Sequence, residues 1–84
     1  MVEFTHVITD IEGLHARPVT VICAEALKWG SAITVSCNGR SASAADLMGL
    51  MGLSARRGDE LAFHVEGSDE QEAAAALRTV VSGL

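Results

Sequence analysis

The hydrophobic period of this chain changes repeatedly, and that alternation constrains its fold more than any other feature. Val2, Phe4 and Ile8 recur at every second or fourth position, the pattern of a half-buried strand over Val2 to Thr9. After a polar stretch from Asp10 to Gly13, Val19, Ile22, Cys23, Ala26 and Leu27 fall on one stripe of a helix predicted over Ala16 to Trp29, with Gly30 to stop it. Ile33, Val35 and Cys37 return to period two. Asn38-Gly39 follows directly, the dipeptide of a two-residue hairpin turn, and Arg40 to Ala44 is its short return strand. Asp46 is a good N-cap for a short helix through Leu47, Leu50 and Met51. Leu61, Phe63 and Val65 alternate once more. Behind the capping residues of Gly67-Ser68-Asp69, Glu70 to Val81 forms a last helix with Ala73, Leu77, Val80 and Val81 inward.

The resulting order is strand, helix, strand, strand, short helix, strand, helix. Each apolar helix stripe needs a surface, and the strands offer one apolar face. The fold class expected is therefore α+β, a two-layer open-faced sandwich: a four-stranded, mostly antiparallel sheet with three helices on one face. Eighty-four residues make one domain, 1–84. Aromatics are only 4%, so Val, Ile, Leu, Ala and Met must fill the core.

A net charge of −5 argues against nucleic-acid binding and against adsorption to anionic membranes. No apolar run reaches the roughly 20 residues of a membrane-spanning helix. Met1 to Asp10 lacks the basic and apolar regions of a secretory signal, so a cytoplasmic location is expected. Cys23 and Cys37 are too isolated for a disulfide framework or a zinc site, and no metal-ligand cluster is visible.

The stretch that carries chemistry is Gly13-Leu14-His15-Ala16-Arg17-Pro18. It puts an imidazole where a loop becomes a helix. Pro18 is tolerated there because first-turn amides have no intrahelical partner. Those amides, with the positive end of the helix dipole, form an anion site, and Arg17 adds a fixed guanidinium. A neutral imidazole is nucleophilic near neutral pH and can carry a phosphoryl group, whose transfer depends mainly on positioning and charge neutralisation.

This string resembles the active-site signature of the HPr phosphocarriers of the bacterial phosphoenolpyruvate:sugar phosphotransferase system. The length, the element order, the Asn38-Gly39 turn and the segment Leu47-Met48-Gly49-Leu50-Met51 extend the resemblance to essentially the whole chain. It implies that His15 accepts a phosphoryl group on Nδ1 from phospho-enzyme I and passes it to the A domains of sugar-specific enzymes II. Arg17, with the helix start at Ala16 and Pro18, would stabilise that state. Ala16, Thr20, Leu47, Met48 and Met51 match the family's docking surface, with Leu50 turned inward. No cofactor, no nucleic acid, no membrane insertion and a monomeric state are implied. Asp46 stands where many relatives carry a serine modified by an HPr kinase/phosphorylase, so that modification is not expected here. Other branches of phosphotransfer, serving nitrogen regulation or a dihydroxyacetone kinase, and a non-catalytic regulatory binding module are the competing readings. A generic small interaction domain leaves His15, Arg17 and Pro18 together unexplained. His6 is expected half-buried, His64 in solvent, and Trp29 packed at the helix end.

Overall fold

In a computed structural model describing all residues 1–84, the elements follow the predicted order. They are β1 (Val2–Val7), α1 (Ala16–Ala26), β2 (Ala32–Cys37), β3 (Arg40–Ser43), α2 (Leu47–Met51), β4 (Glu60–Glu66) and α3 (Glu70–Ser82). The four strands form one sheet in the order β1-β4-β2-β3, and every pairing is antiparallel.

Side-chain alternation decides which face is covered. Phe4, Ile33, Val35, Leu61, Phe63 and Val65 are buried on the helix side, whereas Glu3, Thr5, Thr34 and Glu66 are exposed. Phe4 lies opposite Phe63, and their rings stack with centroids 4.7 Å apart. Val19 and Ile22 of α1, Leu50 of α2, and Leu77 and Val81 of α3 close the core from above. This is the expected two-layer sandwich.

The hairpin is built as its dipeptide predicts. Asn38 (φ 53°) and Gly39 (φ 79°) both adopt the left-handed backbone that a primed turn demands, and they set the register Cys37↔Arg40.

Two boundaries differ from the sequence expectation by more than one residue. β1 ends at Val7, and Ile8 leaves the ladder because its N–H and C=O pair with Asp59 and Gly58 in the turn before β4. α1 ends at Ala26 rather than Trp29, and Leu27 is its C-cap and stands exposed rather than on the inner stripe. The cause is a distant acid: Asp69 accepts hydrogen bonds from the Gly30 N–H (2.9 Å), the Ser31 N–H (2.9 Å) and the Ser31 hydroxyl, pulling the chain out of the helix. Asp69 therefore does not cap α3 with its side chain, although it occupies that N-cap position. In α3 the buried stripe is Ala73, Ala74, Leu77 and Val81, with Val80 half-buried.

Trp29 packs against the core and donates its indole N–H to Glu25 (3.0 Å). Cys37 is buried, Cys23 is half-buried with its thiol toward the Ala45 carbonyl (3.5 Å), and both are free thiols.

Candidate functional site

His15 is the N-cap residue of α1, with extended backbone (φ −102°, ψ −172°). Its imidazole does not cap the helix, so the helix start is left open. The first intrahelical bond runs from the Val19 N–H to the His15 carbonyl. The N–H groups of Ala16 and Arg17 have no acceptor in the protein, and Pro18 has no N–H to satisfy. No acidic residue lies in the first turn to occupy the positive end of the dipole.

Gly13 sets the approach to this turn. Its φ of +71° suits glycine, and a Cβ there would lie 2.6 Å from the Ala55 carbonyl oxygen and 2.9 Å from the Arg56 Cα. That close approach lets the Leu14 N–H donate to the Ala55 carbonyl at 3.0 Å, while Leu14 itself is buried. The imidazole that follows is thus anchored on both sides, by the loop before β4 and by α1.

The ring is held as well as placed. His15 Nε2 lies 3.1 Å from Asp10 Oδ2 and 3.6 Å from Glu12 Oε2. The Asp10 carboxyl is held below the usual carboxylate range, first by the Glu12 N–H it accepts (2.9 Å) and then by the His15 ring. Ionised Asp10 can only accept, so Nε2 must be the donor, and in the neutral ring the lone pair sits on Nδ1. The His15 side chain is 27% exposed, and none of the molecule's concavities takes it as a lining residue. Any chemistry on this ring would take place at the surface.

Asp10 and Glu12 are the site residues that the sequence did not disclose. With His15 they bring one candidate ligand atom each within 4.8 Å of one another, a grouping the sequence reading did not anticipate. Their spacing of five and three residues from His15 is the only signal, and it acquires meaning only once Gly13 bends the loop back. Arg17 departs from expectation in another way. Its exposed side chain makes no ion pair or hydrogen bond within the chain, so its guanidinium is a free arm rather than a fixed one. It lines a shallow hollow with Asp10, Pro18 and Val21, close enough that its charge helps hold Asp10 ionised.

The remaining predicted residues fall on neighbouring helices. Ala16 and Thr20 are exposed on α1, and Thr20 donates its hydroxyl to the Ala16 carbonyl (2.7 Å). On α2, which packs against α1, Met48 is 76% exposed and Leu47 and Met51 about two-fifths, while Leu50 is fully buried. Asp46 caps α2 by accepting the Gly49 N–H (3.1 Å). His6 is half-buried beside a void of about 20 Å³ under the loop, where desolvation lowers its pKa. His64 is half-buried rather than in open solvent and pairs with Glu3 (3.1 Å) across β1 and β4. No helix is long and apolar enough to cross a membrane.

The family model for the PTS HPr component phosphorylation site matches residues 2–82. The phosphocarrier protein HPr of Mycoplasma capricolum is 35% identical over 78 residues, covering 93% of this chain and 88% of that protein. The HPr of Thermoanaerobacter tengcongensis superposes with a TM-score of 0.91 at 35% identity, covering 99% of this chain and 93% of the other. A dimeric crystal form of HPr from that organism gives 0.78 at the same identity, over 99% and 95% of the two chains. The chain belongs to the HPr family of phosphocarriers of the phosphotransferase system.

Proposed function

We propose that His15 is the phosphoryl-bearing residue, charged by phospho-enzyme I and discharged to the A domains of sugar-specific enzymes II. The observation that carries this reading is the hydrogen bond between His15 Nε2 and ionised Asp10, which leaves Nδ1 as the nucleophile beside an uncapped helix start. Nδ1 attacks the phosphorus of the donor, the donor's bond to phosphorus breaks, and the new N–P bond forms. Nδ1 holds a lone pair beforehand, so no proton needs to leave it. The proton on Nε2 stays on that nitrogen, still donated to the Asp10 carboxylate.

The transferred group brings a double negative charge to the ring. The open amides of Ala16 and Arg17 and the helix dipole would stabilise it, and the free Arg17 guanidinium would swing onto its oxygens. Asp10 and Glu12, on the Nε2 side, would keep the ring oriented and balance its partial positive charge. No cofactor is needed, because positioning and charge neutralisation perform the work.

Docking would use the apolar surface around the ring: Ala16 and Thr20 on α1, Leu47, Met48 and Met51 on α2. Flexible methionines suit a surface that must accept different partners in turn. One chain supplies all of these residues, so the carrier acts as a monomer in this reading, in the cytoplasm. Asp46 keeps the cap of α2 while offering no hydroxyl, and an HPr kinase/phosphorylase should add no phosphate at that position.

Incubation with enzyme I and phosphoenolpyruvate, followed by mapping of the phosphate, tests the proposal. An acid-labile modification at His15, absent in His15→Ala, is expected. Failure to label with a competent enzyme I, or labelling at His6 or His64, would overturn it.

A further inference from the structure

The loop that anchors His15 also borders a polar hollow of about 440 Å³ that His15 does not line. It is lined by Asn38, Arg40, Leu53, Ser54, Arg56 and Asp59. Five of these six residues are polar or charged, and they come from the β2–β3 hairpin and the loop between α2 and β4.

Its charge runs against the rest of the molecule. The chain has a net charge of −5 and only six Lys and Arg residues, yet Arg40 and Arg56 line this hollow and Arg57 follows directly in the sequence. None of these three guanidinium groups is within ion-pair distance of a carboxylate. Arg40 is aimed by one bond only, from Nη1 to the Gly52 carbonyl at 3.0 Å. The single acid in the hollow, Asp59, is engaged: one carboxylate oxygen accepts both the Arg56 N–H and the Asn38 side-chain N–H, each at 2.9 Å. Ser54 lines the hollow with a left-handed backbone (φ 54°), a conformation that is unusual for a non-glycine residue.

We infer that this hollow is a second site, distinct from His15, for a small phosphate monoester held by Arg40 and Arg56. Two guanidinium forks with unused N–H groups match the oxygens of a dianionic phosphate, and Ser54 supplies a further donor. A volume of about 440 Å³ suits a small metabolite, and its polar lining suits a hydroxylated one. The shared loop links it to the His15 site. Arg56 follows Ala55, whose carbonyl takes the Leu14 N–H, and the Arg56 Cα stands within van der Waals reach of Gly13. A ligand on Arg56 would therefore be felt in the backbone that carries His15. The inference does not rest on phosphorylation of that histidine.

The test is titration of the ¹⁵N-labelled full chain with glycerol 3-phosphate and with inorganic phosphate at fixed ionic strength, using glycerol as the uncharged control. Saturable amide shifts are expected at Asn38, Arg40, Ser54 and Arg56, with smaller ones at Gly13 and Leu14. In the double variant Arg40→Gln, Arg56→Gln the affinity should fall at least tenfold, while the spectrum elsewhere and phosphoryl acceptance at His15 stay unchanged. In His15→Ala binding should persist. Shifts that are linear and unsaturated, that survive in the double variant, or that centre on Ala16 and Arg17 would overturn the inference. So would tighter binding of succinate, which would make the hollow a carboxylate site.

Discussion

Asp10 determines which nitrogen of His15 is free. Its carboxyl accepts the Glu12 N–H and the His15 Nε2–H, and both interactions favour the ionised form, lowering its pKa below the ordinary 3.8. A carboxyl lowered on folding adds stability that is present above its unfolded pKa. That contribution is lost as pH falls through the lower folded value. A carboxyl ¹³C titration should therefore find Asp10 ionised at pH values where an ordinary aspartate is already protonated. Because the Glu12 amide is the larger cause, His15→Ala should raise the Asp10 value only part of the way back. Complete return to the ordinary value would mean that the ring alone perturbs it. In Asp10→Asn the neutral partner no longer enforces donation from Nε2. The ¹⁵N shifts of the His15 ring should then show a mixture of the two neutral tautomers.

Elements rather than single residues decide what surrounds that ring, and α2 shows how far a short element can be read from its sequence. Four apolar side chains, Leu47, Met48, Leu50 and Met51, crowd five residues, and on a helix of that length they cannot share one face. Leu50 is fully buried and the others are exposed, as helical geometry requires once Asp46 fixes the start. Truncation should separate the two roles. Leu50→Ala should cost about 2–5 kcal/mol in chemical denaturation. Met48→Ala should stay within about 0.5 kcal/mol of the parent, yet weaken docking to enzyme I in a binding titration. Asp46→Ala should lose about 1 kcal/mol with the cap. Equal destabilisation by Leu50→Ala and Met48→Ala would show that α2 is core throughout. The periodic signals of α1 and α3 were equally legible, and so were the ends of α3, but the end of α1 was not. Where α1 stops depends on Asp69, 38 residues beyond Ser31, and no local pattern encodes that clamp.

The same limit applies to the molecule as a whole. Periodicity and the Asn38-Gly39 turn specify the layers, because each strand has only one apolar face to bury. Contacts between segments distant in sequence leave no periodic trace, and the one most important to the site joins Leu14 to Ala55. Its sequence marker is Gly13, whose role is evident only when the backbone of Ala55 and Arg56 is seen beneath it. Gly13→Ala would need a non-glycine side chain at φ +71°, which costs about 1–3 kcal/mol, and the added methyl would overlap a carbonyl in the loop below. The two segments must then separate. Denaturation should register that cost or more, and hydrogen exchange at the Leu14 amide should accelerate while the amides of Val35 and Phe63 in the central strands keep their relative protection. If exchange instead rose uniformly across the sheet, the loop and the core would be one cooperative unit, and the His15 segment would have no local stability of its own. The structure favours separate responses, because the segment from Asp10 to His15 is tied to the neighbouring loop through the single Leu14–Ala55 bond, whereas each central strand is paired along its length on both sides.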